Sequence, residues 1–226
     1  MNTGAGGQFD TKRPLQATSP RMQNANCIIW LYAICKLHKL QGMRSTGIKS
    51  RLSHAQWSLK PQDLAMAFKL VCLAGQKVPY TELARAMQMS QFEAHACLAR
   101  LSGARLLTKV NGAPALVMPA FRPMVLQGAA YFFPAVRGEV TVGFPTANGV
   151  EPLKSKLMAD DELPPVWPHP DGPVRGNTLL PLYPKLPLAA QANPALYALL
   201  ALFDALRIGQ AREREIARAL LEERLK

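Results

Sequence analysis

Between Ser90 and Arg100 the chain places an amide (Gln91), a phenyl ring (Phe92), an imidazole (His95) and a guanidinium (Arg100) within about three helical turns. Such groups suit recognition without covalent change: the amide pairs with a polar edge, the ring makes apolar contact, and the guanidinium grips an oxyanion or a bidentate acceptor. Covalent chemistry finds no comparable set. His38, His54, His95 and His169 are scattered. Cys27, Cys35, Cys72 and Cys97 lie in apolar stretches without short paired spacing, so they read as reduced thiols of a cytosolic protein, and no metal site is expected. Gly4-Ala5-Gly6-Gly7 follows no strand and opens no helix, which excludes a dinucleotide or phosphate loop, and no G-x-S-x-G elbow or P-loop occurs. Asp160, Asp161 and Glu162 read as a solvated loop, with a metal role as the alternative. His169-Pro170-Asp171, the tripeptide of a J-domain loop, has no room for flanking helices amid its prolines. Neither an enzyme activity nor a cofactor is expected.

The groups at 90–100 need a helix to carry them. Thr81 to Leu107 predicts two short helices around a tight turn, the second opening with the capping pair Ser90-x-x-Glu93. Leu83, Ala84 and Met87 in the first helix and Ala94, Leu98 and Leu101 in the second fall where two steeply crossed helices touch. Ala84 is the critical one, because a larger side chain there would push the helices apart. Gln88 stands in the turn where a positive φ favours Gly. Leu106 to Val110 and Pro114 to Met118 flank Asn111-Gly112, a hairpin signal, and Leu59 to Gly75 carries Leu64, Ala67, Phe68, Val71 and Cys72 at helical spacing.

This order of helix, helix, helix and hairpin over about 58–118 resembles the winged helix-turn-helix proteins, in particular bacterial transcriptional regulators of the MarR-like kind. The resemblance implies that helix 90–103 lies in the major groove of double-stranded DNA while the hairpin touches the flanking backbone. With Ala94, Leu98 and Leu101 inward and Glu93 capping, the outward residues are Gln91, Phe92, His95 and Ala96, with Arg100 a turn further on. Gln91 then suits an adenine edge, Phe92 a thymine methyl, and Arg100 a phosphate or guanine. Thr81 and Ser90 suit phosphates at helix starts, and Lys109 the backbone from the wing. Competing readings make Phe92 a core residue under the wing, His95 a solvated residue and Arg100 the partner of an acid.

The fold class expected is mainly α with a small β component. A winged helix-turn-helix domain (58–118) follows a basic, partly disordered extension (1–57) and precedes an oligomerisation or partner region (119–226) with a Pro-rich strap (134–187) and a helical pair (194–226). The 226 residues, 49% of them hydrophobic, can bury a substantial core. Net charge is +12, which points to a polyanionic partner. Residues 1–60 hold nine Lys/Arg against one acid, residues 61–118 hold six against three, and the remainder is nearly balanced. The apolar run Ala25 to Cys35 is too short to span a bilayer, and Lys36 follows where a signal peptide would be cleaved. It reads either as a docked helix or as a stretch outside the natural product, with Met43 as the start; a peptide covering Cys27 in mass spectra of the native protein excludes the second.

Ala120 to Phe133 has helical apolar spacing. From Pro134 to Pro187, GEVTVGFPTANGV is strand-like, and the prolines of ELPPVWPHPDGPV and LLPLYPKLP favour extended chain. Trp167, Leu180, Leu182, Tyr183 and Leu186 speak against disorder, so the segment is expected as a strap over a core or a partner. Asn193-Pro194 starts a helix over 195–207 so apolar that it needs cover on both sides, and a partner subunit is one candidate cover. Gln210 to Lys226 forms a last amphipathic helix with Ile216, Leu220, Leu221 and Leu225 on one face. GFPTA, PVWP, LYP and DALR-x-G-x-ARERE together resemble an uncharacterised subgroup of bacterial regulators, and the layout is similar to antitoxins that repress their own operon while countering a nucleotidyltransferase toxin. These resemblances imply a cytoplasmic homodimer that binds DNA, or a module whose main role is binding a partner protein. A membrane role is not expected.

Overall fold

A computed structural model describes residues 58–110, 112–157 and 162–226. The expectations for the leader up to residue 57, for Asn111, and for Asp160 and Asp161 lie outside the described residues. The described chain combines helices with two small sheets.

Pro61 opens α1 (Pro61–Leu73), and the Asp63 carboxylate accepts the Lys60 N–H at 2.8 Å, satisfying one of the free donors at the helix start. The helix buries Leu64, Ala65, Met66, Ala67, Phe68 and Leu70 and ends where Ala74 and Gly75 turn into positive φ. Next come α2 (Tyr80–Ala86) and α3 (Gln91–Gly103). Leu83, Ala84, Met87, Ala94, Leu98 and Leu101 are all buried, as their spacing required, and Gln88 takes φ +53° in the turn between the helices. Strands β1 (Leu107–Val110) and β2 (Ala113–Leu116) pair antiparallel with Leu107 opposite Leu116. Val110 faces Ala113, which leaves two residues for the turn, and Gly112 supplies φ +77°.

A helical stretch follows: α4 (Met118–Pro123), one π turn (Met124–Gly128) and α5 (Ala129–Phe132). The segment expected as a strap then departs from expectation. It folds on itself into a closed sheet of β3 (Arg137–Pro145), β4 (Pro165–Pro168) and β5 (Val174–Leu179), with β3 antiparallel to both others and β4 parallel to β5. Prolines do not prevent this, because Pro145, Pro165 and Pro168 stand at strand ends, where a missing N–H costs little. The ring is tight enough that a Cβ at Gly143 would collide with the Trp167 carbonyl, and one at Gly176 with the Pro164 carbonyl.

After α6 (Leu186–Gln191), Asn193 caps α7 (Pro194–Ile208) by accepting the Leu196 N–H at 3.1 Å. Helix α7 buries Leu196, Leu199, Leu200, Leu202, Phe203 and Leu206 within its own chain, so its apolar surface is not left for a second subunit. Helix α8 (Ala211–Arg224) lays Ala217 and Leu221 against it, followed by Leu225. The Phe68 ring of α1 lies 5.8 Å from Phe121 and 5.7 Å from Phe203, so segments on both sides of residue 118 share one hydrophobic core.

That core contains a carboxylate. Asp204 of α7 accepts hydrogen bonds from Thr146 Oγ1 (2.8 Å), just after β3, and from Trp167 Nε1 (2.7 Å) in β4. Arg207, one turn further along α7, pairs with its other oxygen at 2.8 Å and donates to the Pro134 carbonyl at 3.1 Å. Burial pushes the Asp204 carboxyl up, and the Arg207 charge and the two neutral donors oppose that shift. Tyr197 adds a hydrogen bond to the Pro145 carbonyl and stacks its edge on Trp167. Thus GFPTA, PVWP and DALR, far apart in sequence, meet at one polar point. Removing the carboxylate strands a buried guanidinium and two donors. Asp204→Ala is expected to cost about 3 kcal/mol in urea unfolding, whereas Asp171→Ala, at an exposed position, should change stability by less than about 0.5 kcal/mol.

Candidate nucleic-acid interface

The position of α3 is set by a charged cluster between it and α1. Arg100 meets Asp63 through a two-pronged contact, Nε and Nη2 each 2.7 Å from a carboxylate oxygen, and Nη2 also lies 2.8 Å from Glu93 Oε1. Gln62 of α1 donates to the same Glu93 oxygen at 2.9 Å. Asp63 is fully buried, and the Arg100 side chain is only 14% exposed. A planar fork matched to a carboxylate in a site with little water is geometrically specific, so the cluster fixes both the rotation and the register of α3 against α1. The hydrogen bond from Gln62, then that from Arg100, holds the Glu93 carboxyl below its ordinary range. Hydrogen bonding to Asp63 raises Arg100 further, and burial, reinforced by Asp63, keeps the neighbouring Cys97 a thiol.

Two expectations change here. Arg100 does not stand outward as a reader of phosphate or guanine, because both acids hold its guanidinium between the helices. The Ser90–Glu93 pair is capping in one direction only: Ser90 Oγ accepts the Glu93 N–H at 3.1 Å, while the Glu93 carboxylate turns to Gln62 and Arg100. The Asp at the third position of α1 was the available signal for the cluster, but a sequence does not show that α1 and α3 lie side by side.

The remaining candidates divide as follows. Gln91, Phe92 and His95 all stand exposed on the first turns of α3, with Phe92 81% exposed, which excludes its reading as a core residue. Tyr80, at the start of α2, meets the His95 ring edge to face at 6.0 Å and extends this surface. Thr81 is exposed beside it, and Ser90 is exposed with its hydroxyl oxygen taken up by the cap. Lys109 is exposed on β1. The face therefore presents an amide, two aromatic rings and an imidazole without a cation of its own from α3. The turn beneath is anchored from afar, since Tyr183 Oη donates to the Met87 carbonyl at 2.6 Å, and burial pushes that phenol up, so it stays a donor. Sequence reading placed Tyr183 in the strap without finding this contact.

Elsewhere, Tyr131 and Phe132 at the end of α5 are 84% and 73% exposed, and Val136 and Leu180, joined by a 2.9 Å backbone hydrogen bond, are exposed as well. A cleft of about 870 Å³ is lined by Arg137, Lys154, Arg212, Glu162 and Glu213, with Glu213 occupied by Asn148 and the Gln210 N–H. Among the described residues no helix is long and apolar enough to cross a membrane.

Breaking a buried ion pair leaves one charge without a partner. Arg100→Ala is accordingly expected to lose about 3 kcal/mol of stability in urea unfolding, and Arg100→Lys, which lacks the fork, to recover only part of it. Unchanged stability in Arg100→Ala would contradict the role given to the cluster. Comparison with family models, with curated proteins and with solved structures finds no match, so the reading of this surface rests on the residues themselves.

Proposed function

We propose that the chain is a sequence-specific DNA-binding transcriptional regulator of the winged-helix type, acting in the cytoplasm as a homodimer and carrying out no covalent chemistry. The observation that carries this reading is the exposed start of α3, which presents Gln91, Phe92 and His95 outward, and the short hairpin bearing the exposed Lys109. A helix presented this way fits the width of the major groove, and a hairpin beside it suits the adjoining backbone. Charge supports the same partner. Outside the Arg100 cluster, residues 61–118 carry Lys69, Lys77, Arg85, Arg105 and Lys109 against Glu82 alone, and the leader up to residue 57 adds eight Lys/Arg against one acid. In this reading Gln91, Phe92 and His95 face bases, Thr81 and Ser90 lie near phosphates, and Lys109 binds the flanking backbone.

A second reading, an antitoxin-like or other protein-interaction module, is favoured by the exposed aromatic pair Tyr131 and Phe132. It no longer draws on the apolar helix α7, which its own chain covers.

Fluorescence anisotropy with full-length protein distinguishes the two, using the duplex upstream of its own gene and a scrambled duplex across a salt series. The regulator reading predicts tight binding to the first only, a loss of about tenfold or more in Gln91→Ala, and a uniform weakening on both duplexes in Lys109→Ala. Equal, steeply salt-dependent binding to both duplexes, indifferent to Gln91→Ala and His95→Ala, would mean that charge alone attracts DNA and would leave the interaction module as the reading.

A further inference from the structure

We infer that the exposed face of α3 selects A·T base pairs, with Phe92 as the residue that recognises thymine through its C5 methyl group. The inference rests on the DNA-binding reading above and adds what that surface reads.

The face carries no arginine of its own. The commonest specific recognition of guanine in the major groove is by Arg or Lys aimed at O6 and N7. Helix α3 contains one Arg and no Lys, and that Arg100 is held between the helices by Asp63 and Glu93. The groups left outward on the first two turns are an amide, a phenyl ring and an imidazole, with no Arg or Lys among them. Gln91 carries the amide that matches the N7 and N6 edge of adenine. Phe92, its neighbour in the chain, holds a phenyl ring 81% exposed to water. Such a ring gains only by covering apolar surface, and the thymine methyl is the one apolar group that the bases present in the major groove. His95 is turned toward Tyr80, so these two rings extend the aromatic surface at the start of α3 without adding an Arg or Lys to it. Adenine and thymine are the two halves of one base pair, so adjacent Gln91 and Phe92 point to the same class of sequence. Attraction to the backbone comes from elsewhere, from Lys109 and the basic leader.

The test is selection of duplexes by full-length protein from a random pool of about 20 base pairs, two turns of DNA. The best duplex is then remade with deoxyuridine in place of each thymidine, which deletes only the methyl groups. Enriched sites are expected to hold A·T pairs at corresponding positions of each half. Uracil is expected to weaken wild-type binding about fourfold for each thymine contacted, the worth of one buried methyl group. Phe92→Ala should bind the thymine and uracil duplexes equally while keeping the wild-type thermal midpoint, because its ring supports no core contact. Enriched sites with G·C at the contacted positions, or wild-type affinity indifferent to uracil, would overturn the inference and leave the DNA-binding reading standing. No enrichment at all would overturn both and assign the aromatic face to a protein partner.

Discussion

The contact between Arg100 and Asp63 is the constraint on which the rest of the proposed surface depends. It joins α3 to α1 through a buried carboxylate and a planar cation, at two distances of 2.7 Å, and Glu93 and Gln62 complete it. Hydrophobic packing through Leu98 and Leu101 would bring α3 against its neighbours, but packing of that kind tolerates sliding and rotation. The guanidinium fork does not. It fixes which residues of α3 turn outward and, at the same time, removes the helix's only arginine from the surface it orients. A partly aromatic face without an Arg or Lys from α3 follows from that one pair.

A second buried polar point organises the other half. Asp204 gathers Thr146, Trp167 and Arg207, and so ties the closed three-stranded sheet to α7. A half-satisfied carboxylate in this position would be worse than an apolar side chain, and the full set of partners makes the joint between sheet and helix directional. From β5 the chain continues through Leu182, which is buried, to Tyr183, which grips the Met87 carbonyl in the turn before α3. The second half is therefore physically continuous with the element that presents Gln91 and Phe92. The pieces GFPTA, PVWP, LYP and DALR, which looked like separate signatures, are the polar and aromatic parts of this scaffold.

How much of this was legible in the sequence follows from the range of each interaction. Local signals read well: apolar spacing at Leu83, Ala84, Ala94 and Leu98, the serine cap at Ser90, the hairpin glycine at 112 and the start at Asn193-Pro194 act within a few residues and appear in the fold. Long-range pairings did not read. Asp63 and Arg100 lie 37 residues apart, as do Trp167 and Asp204, and nothing in either segment names its partner. Helical position places Arg100 outward, and its reading as the partner of an acid cannot name Asp63; the prolines of 134–187 suggest a strap because their placement at strand ends depends on a closure that no local pattern shows. The apolar excess of α7 was read correctly as a need for cover, but the sequence could not say that its own chain supplies it.

The outward start of α3, held by the Arg100 cluster, is the proposed partner-binding surface. Amide chemical-shift mapping of the full chain titrated with the selected duplex tests it most directly. Shifts are expected to centre on Gln91, Phe92 and His95, with a second group on the hairpin around Lys109. Shifts confined to Tyr131, Phe132, Val136 and Leu180, with α3 silent, would contradict it.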